Sequence, residues 1–244
     1  FAGLFLAGFV VVSLLPQNVG FVKALDIAGK MDKMNVIDWT FDLDNRYTVW
    51  TGIIGGLFLQ LSYFGTDQSQ VGRYLTGSSV GQSRMGLLMN GMLKIPMQFL
   101  ILLIGILVFA FYQYQKPPVF FNQYEVNKIE SSSYKTEFKD REQDFNLAFA
   151  DKKTKVIALE EALSNKKNVA EASATVKKAN ETLQQKRADA LAVMKKNDPN
   201  ADLDDTNYIF LSFVTKYLPK GLIGLLIAIV CMASMGSTAS ALNS

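Results

Sequence analysis

The sequence contains no histidine and only one cysteine, Cys231. These absences exclude a Cys–His nucleophile pair, a serine triad that uses histidine, a thiolate zinc site and an internal disulfide framework. An enzyme is therefore not expected. The net charge is only +3, so the chain also lacks the clustered, unmatched cations that neutralise phosphates, and no nucleic-acid partner is expected.

Charged residues are concentrated in one part of the chain and are absent from long tracts of the rest. Of its 25 Lys/Arg and 22 Asp/Glu residues, 16 of each lie within residues 114–205. A water-soluble domain needs charged side chains along its whole length, and here long tracts have none. The distribution predicts an all-α, polytopic helix bundle in the lipid bilayer with one large polar insertion.

Four tracts are apolar enough to form membrane helices, and the last three are long enough to cross a bilayer, which takes about 20 helical residues. They are residues 1–15, 47–66, 85–115 and 221–244. The first tract has no starting Met and no basic segment before it, so we interpret it as a truncated span rather than a signal peptide. The two short connections have similar densities of Lys and Arg, which do not orient the chain across the membrane.

These tracts divide the chain into three regions. We expect three spans with their loops, then an extramembrane helical insertion, then an interfacial helix with the last span. The regions are 1–113, 114–206 and 207–244. In the last region Phe210, Phe213, Val214 and Tyr217 follow helical spacing and predict an amphiphilic helix along the membrane surface. The alternative is that this helix simply extends the last span.

The insertion is predicted to be a helical hairpin. Apolar residues recur at helical spacing, as at Val156 and Leu159, and the pattern breaks at 164–168. The predicted helices lie near 138–164 and 168–196. Their alanine-rich seam favours packing of the hairpin on itself over the alternative, a rod that binds a partner.

Two spans carry polar groups that are costly in a bilayer. Lys94 lies nine residues inside the third tract, where a lysine costs about 2.5–3.5 kcal/mol unless it meets a cavity or a partner. The alternative is that Lys94 snorkels to the interface. Gln60 and Tyr63 share one face of the second span, where an amide and a phenol suit a polar organic ligand. Tyr63 fits an aromatic belt equally well.

The last span is rich in small residues at four-residue spacing. Gly236 and Ser240 form one such pair, and Ala233 and Ser237 form another. The pattern is typical of tightly packed membrane helices. Serine hydroxyls and helix carbonyls that small neighbours leave accessible also provide oxygen ligands for a hard cation such as Na⁺. Packing and sodium binding are compatible here.

Two tracts together resemble the sodium:solute symporter family, which is similar to the sodium–glucose cotransporters. One is Tyr63-Phe-Gly-Thr-Asp-Gln-Ser-Gln-Val-Gly-Arg-Tyr-Leu75, which departs from the family at Gly72, where glutamine is usual. The other is Leu218-Pro-Lys-Gly-Leu-Ile-Gly224 leading to Met235-Gly-Ser-Thr-Ala-Ser-Ala-Leu-Asn-Ser244. Between them, Leu93-Lys94-Ile-Pro96 is similar to the sugar-carrying branch.

The resemblance implies a LeuT-type inverted-repeat fold, of which this chain covers core helices five to eight. It implies sodium-coupled symport of a small polar solute, with a sugar or sugar acid expected, by alternating access. The first core helix is absent, so we expect a fragment that does not transport by itself. Family topology places loop 67–84 in the cytoplasm and the insertion on the periplasmic or extracellular side, and we expect a bacterial inner membrane.

The resemblance also implies roles for single residues. Gln60 and Lys94 match positions that hydrogen-bond the sugar, and Tyr63 matches the aromatic gate beneath it. The sodium site would use the Ala233 carbonyl, Gly236 and Ser237, although Gly236 stands where the family usually has a serine ligand.

A second sodium site of some relatives would use positions 236, 239 and 240, where only Ser240 keeps a hydroxyl. We therefore expect one coupled Na⁺. Asp67 and Arg73 are candidates for cytoplasmic gating, with helix capping as the preferred alternative. A rival function is a membrane-anchored scaffold that presents the hairpin, but anchors do not need Lys94 or a serine-lined helix.

Overall fold

The computed structural model describes residues 2–35, 38–42, 48–68, 71–72 and 77–243. The helices whose bounds it defines are α1 (Ala2–Ser13), α2 (Phe21–Lys30), α3 (Val49–Gly65), α4 (Val80–Tyr114), α5 (Gln123–Glu130), α6 (Lys135–Asn165), α7 (Val169–Asn197), α8 (Thr206–Tyr217) and α9 (Lys220–Leu242). Within these described ranges there is no β-strand. The predicted all-α class is confirmed.

The chain forms two compact units. One comprises residues 1–34 with 102–218, and the other comprises residues 35–101 with 219–244. The second unit contains α3, the first part of α4, and α9. Because the chain returns to the second unit after the whole insertion, both units are built from segments far apart in sequence.

Helices α4 and α9 are long and apolar enough to cross a membrane. Helix α3 is apolar but has 17 residues, and it starts at a capping box in which the Thr48 and Thr51 side chains each accept a bond from the other's backbone N–H. Helix α4 continues for 35 residues and includes Pro96 in its interior. The helices α3 and α9 bury none of their described residues.

The predicted hairpin is confirmed, with both helices within three residues of their expected ends. The chain reverses through Lys166 and Asn168, which have φ values of 51° and 55° in the left-handed region. The Lys167 N–H donates to the Ala162 carbonyl at 3.1 Å, which satisfies a carbonyl at the end of α6. Along the seam the two helices bury Val156, Leu159, Val176, Ala179 and Leu183.

The first connection contains a helix that the sequence analysis treated as loop. In α2 and the residue after it, Ala24, Ile27, Ala28 and Met31 are buried. These residues are spaced so that they lie on one face of a helix, and this spacing was the sequence signal that could have predicted α2. The Ser173 hydroxyl of α7 donates to the carbonyl of Lys30 at 3.0 Å. The helix therefore packs against the hairpin.

Helix α8 packs on the end of α4. The Phe111 ring centroid lies 5.3 Å from that of Phe213 and 4.9 Å from that of Tyr217, both in edge-on arrangements. Leu218 has extended backbone before Pro219, and a residue before proline is disfavoured in the helical region. Helices α8 and α9 are therefore separate, and the alternative of one extended span is wrong.

One ion pair joins the two ends of the insertion. A single guanidinium nitrogen of Arg187 contacts both carboxylate oxygens of Asp205 at 2.7 Å, and the Phe121 N–H donates to one of them at 2.7 Å. The Arg187 Nε donates to the Val119 carbonyl at 2.9 Å. Asp205 is 4% exposed, so its charge is compensated almost entirely by these partners.

We predict that Asp205→Asn destabilises the insertion by about 3 kcal/mol, because removing one member of a buried pair leaves the other uncompensated. The measurement is hydrogen exchange of the α7 and α8 backbone amides in the full chain. The matched control is Asp144→Asn, whose carboxylate lies 3.4 Å from Arg141 and 3.8 Å from Lys186 at the surface and should contribute well under about 1 kcal/mol. Equal effects of the two substitutions would contradict the assigned role of Asp205.

Candidate functional site

The second unit brings two of the predicted solute-binding side chains together. The Lys94 ammonium of α4 lies 5.4 Å from the centroid of the Tyr63 ring of α3. That separation is within the range of cation–π attraction. Tyr63 is half-buried, while Lys94 is exposed at its place inside the long apolar helix. The cation therefore has an aromatic face beside it and an open side for a ligand.

Gln60 lies three residues before Tyr63 in α3 and is exposed. Side chains at this spacing share one face of a helix. The amide is thus on the face that carries the Tyr63 ring. Its contact with a solute stays a prediction from spacing.

The predicted sodium residues Ala233, Gly236 and Ser237 occupy one face of α9 and are exposed. A Cβ added at Gly236 would meet no atom within 4 Å, so the helix surface is open there. The neighbouring Thr238 hydroxyl donates to the Ser234 carbonyl at 2.9 Å and is satisfied within its own helix. A dehydrated hard cation takes about six oxygens, so α9 alone would not complete a cation site.

Among the described residues, no cluster of three or more His, Cys, Asp or Glu side chains is suited to hold a metal ion. For the gating pair, Asp67 follows α3, and its N–H donates to the Ser62 carbonyl at 3.0 Å. Arg73 lies outside the described residues.

A buried cation in the first unit was missed by the sequence analysis. Lys152 of α6 is 4% exposed, and its ammonium donates to the Asn180 side-chain oxygen of α7 at 2.9 Å. Burial, and secondarily the positive charge of Lys33, lower the pKa of Lys152 to about 8. The sequence did contain a signal for this burial. Lys152 lies three residues after Phe149 and four before Val156, which is the spacing of the residues in the hairpin seam.

Comparison with known proteins identifies relatives for part of the chain. It is 33% identical over 111 residues to the human sodium/iodide cotransporter, a match covering 44% of this chain and 17% of that protein. It is 35% identical over 92 residues to the human sodium-coupled monocarboxylate transporter 1, covering 36% and 15%. It is 30% identical over 115 residues to the rabbit (Oryctolagus cuniculus) sodium-dependent multivitamin transporter, covering 45% and 18%.

No family model and no solved structure matches the chain. The chain spans less than a fifth of the length of these curated relatives, 15 to 18% of each. All three are transporters whose names include sodium, and none is an enzyme. The resemblance seen in the sequence is confirmed over this partial coverage, because 36 to 45% of the chain is similar to sodium-coupled transporters.

Proposed function

We propose that this chain is part of a sodium-coupled secondary active symporter that moves a small polar organic solute by alternating access. The single observation that carries the proposal is Lys94, a cation inside a membrane-length helix that lies beside the ring of Tyr63 and has no ion pair with any described residue. A charge at that depth is costly unless it serves a pathway or ligand. Sodium is proposed as the coupled ion because the similar transporters are named for it.

Sodium would bind on the open face of α9. Its ligands there are the Ser237 hydroxyl and the Ala233 carbonyl, with Gly236 leaving the backbone accessible. The remaining oxygens would come from the first core helix of the family fold, which these residues do not include. Bound sodium would favour the outward-open form, and the solute would bind next, so that the rocking bundle releases both inside.

The solute expected from the family resemblance is a sugar, held by Gln60 and Lys94 above Tyr63. A carboxylate is the second candidate, and two observations favour it. An ammonium pairs with a carboxylate more strongly than with a neutral hydroxyl. Two relatives are named for iodide and for monocarboxylates, both of which are monovalent anions. A sugar acid would satisfy both expectations.

The proposed setting is a bacterial inner membrane, with the LeuT-type arrangement of the spans and residues 114–206 as a periplasmic insertion. In this arrangement the chain would cross the bilayer in residues 1–113, leave it in residues 114–206, and return through the interfacial helix and last span in residues 207–244. The rival function, a membrane-anchored scaffold for the hairpin, needs neither an intramembrane lysine nor a hydroxyl-lined helix. Sodium-driven uptake into vesicles by the complete transporter separates the two functions.

We predict that Lys94→Met in the complete transporter raises the KM for solute at least tenfold, because the hydrogen-bonding cation is lost. The measurement is sodium-dependent uptake of hexoses, sialic acids and short carboxylates. Lys220→Met, at the start of α9, is the matched control and should leave the KM unchanged. If Lys94→Met and Lys220→Met behave alike for every solute, Lys94 is only a snorkelling residue.

We predict that Ser237→Ala weakens sodium activation of uptake by about tenfold, since one hydroxyl ligand of the ion is removed. The sodium concentration for half-maximal uptake measures this directly. Thr238→Ala is the control, because the Thr238 hydroxyl is already bonded to the Ser234 carbonyl. An unchanged sodium response in Ser237→Ala would leave helix packing as the whole role of that serine.

We predict a single coupled sodium ion, because a second site would keep only Ser240 of its three hydroxyls. Uptake plotted against sodium concentration should therefore follow a simple saturation curve with a Hill coefficient near one. A Hill coefficient clearly above one would show that two ions are coupled and that carbonyl oxygens replace the missing hydroxyls.

A further inference from the structure

The first unit contains an open cavity of about 370 Å³ between the hairpin and the end of α4. This volume falls in the range of small-molecule sites. Its walls are largely apolar and aromatic, and its lining includes Phe109, Tyr112, Phe121, Phe145 and Phe210. All of these residues lie within one unit, outside the proposed solute and sodium sites.

A buried cation lines this cavity. The Lys152 ammonium has Asn180 as a hydrogen-bond partner, and no ion pair between described residues involves it. The other cation in the lining, Arg187, is neutralised by Asp205. A buried charge without an opposite charge is unfavourable, and an anion from outside the chain would compensate it.

A buried acceptor lines the same cavity. Gln113 is 2% exposed, and its side-chain nitrogen donates to the Phe109 carbonyl at 2.9 Å. That bond fixes the orientation of the amide and leaves its Oε1 buried with no partner among the described residues. An unpaired buried acceptor favours a ligand that donates a hydrogen bond.

We propose that this cavity binds a small organic carboxylate that also carries a hydroxyl or amide donor, with the carboxylate on Lys152, the donor on Gln113 and the apolar body against the aromatic walls. Water alone would satisfy Gln113 but would not neutralise Lys152. An inorganic anion would neutralise Lys152 but would leave the aromatic walls unfilled. The three features together select an amphiphilic acid.

The probe is mandelate, which carries a carboxylate, a hydroxyl and a ring. We expect the purified full chain in detergent, in sodium-free buffer at pH 7, to bind mandelate in isothermal titration calorimetry. Phenylacetate lacks the hydroxyl and should bind about tenfold more weakly. Mandelamide lacks the charge and should show no measurable binding. Because no sodium and no transport are involved, failure here is distinguishable from failure of the proposed symport.

Two substitutions test which side chain binds which group of mandelate. Lys152→Met should weaken mandelate binding by more than about tenfold, and Lys153→Met, an exposed lysine beside it in α6, should have no effect. Gln113→Leu should abolish the preference for mandelate over phenylacetate while keeping the binding of phenylacetate. Wild-type protein that binds no mandelate at millimolar concentration, or equal affinity in Lys152→Met, would overturn the proposal.

The pH dependence tests the proposal without any substitution. With a pKa of about 8 for Lys152, the fraction of protein with a charged ammonium falls roughly 30-fold between pH 7 and 9.5, and mandelate affinity should fall with it. The other charged and titratable groups that face the cavity or Lys152 are Tyr112, Lys33 and the Arg187–Asp205 pair.

Lys33→Met is measured in parallel to separate the contribution of its charge, and we expect it to keep the loss of affinity at high pH. Affinity of the wild-type chain that stays constant up to pH 9.5 would show that the Lys152 cation does not hold the ligand.

Discussion

The two ends of the long insertion are held together by one side chain, the carboxylate of Asp205. Asp205 accepts a backbone hydrogen bond from Phe121 across 84 residues of sequence while it pairs with Arg187 in the middle of α7. The entry, the exit and the body of the insertion therefore meet at one buried group. Arg187 and Phe121 also line the cavity beside the hairpin, so this junction forms part of its wall.

The elements that were predictable from the sequence are those set by local pattern. The apolar tracts and the 3.6-residue periodicity of the hairpin gave the helices within a few residues of their ends, because both signals depend only on near neighbours. Helix α2 was missed because Lys23, Asp26 and Lys30 alternate with its apolar residues, so that the segment resembles a polar loop. The helical spacing of its four buried residues was a signal for the helix, but so short an apolar stripe does not show which surface it packs against.

The candidate site was predictable only in part for the same reason. Lys94 stood out because a single charge in an apolar tract is conspicuous, and its partner Tyr63 stood out by family motif. Lys152 did not, because it lies in a run of charges, Asp151-Lys-Lys-Thr-Lys155, that is typical of a solvated helix face. Its seam position between Phe149 and Val156 was the one local sign of burial, and the charged residues around it outweighed that sign. For α9, hydroxyls alone do not distinguish an ion site from helix packing.

The turn between α6 and α7 has a practical consequence. Residues 164–168 are exposed, and they pack no side chain into the seam. A short epitope or a single reactive cysteine placed there would leave the spans untouched, and its accessibility to an impermeant reagent on intact cells would report directly which compartment the insertion occupies. This turn, which takes part in neither proposed ligand site, is thus a suitable labelling position for determining the orientation of the chain.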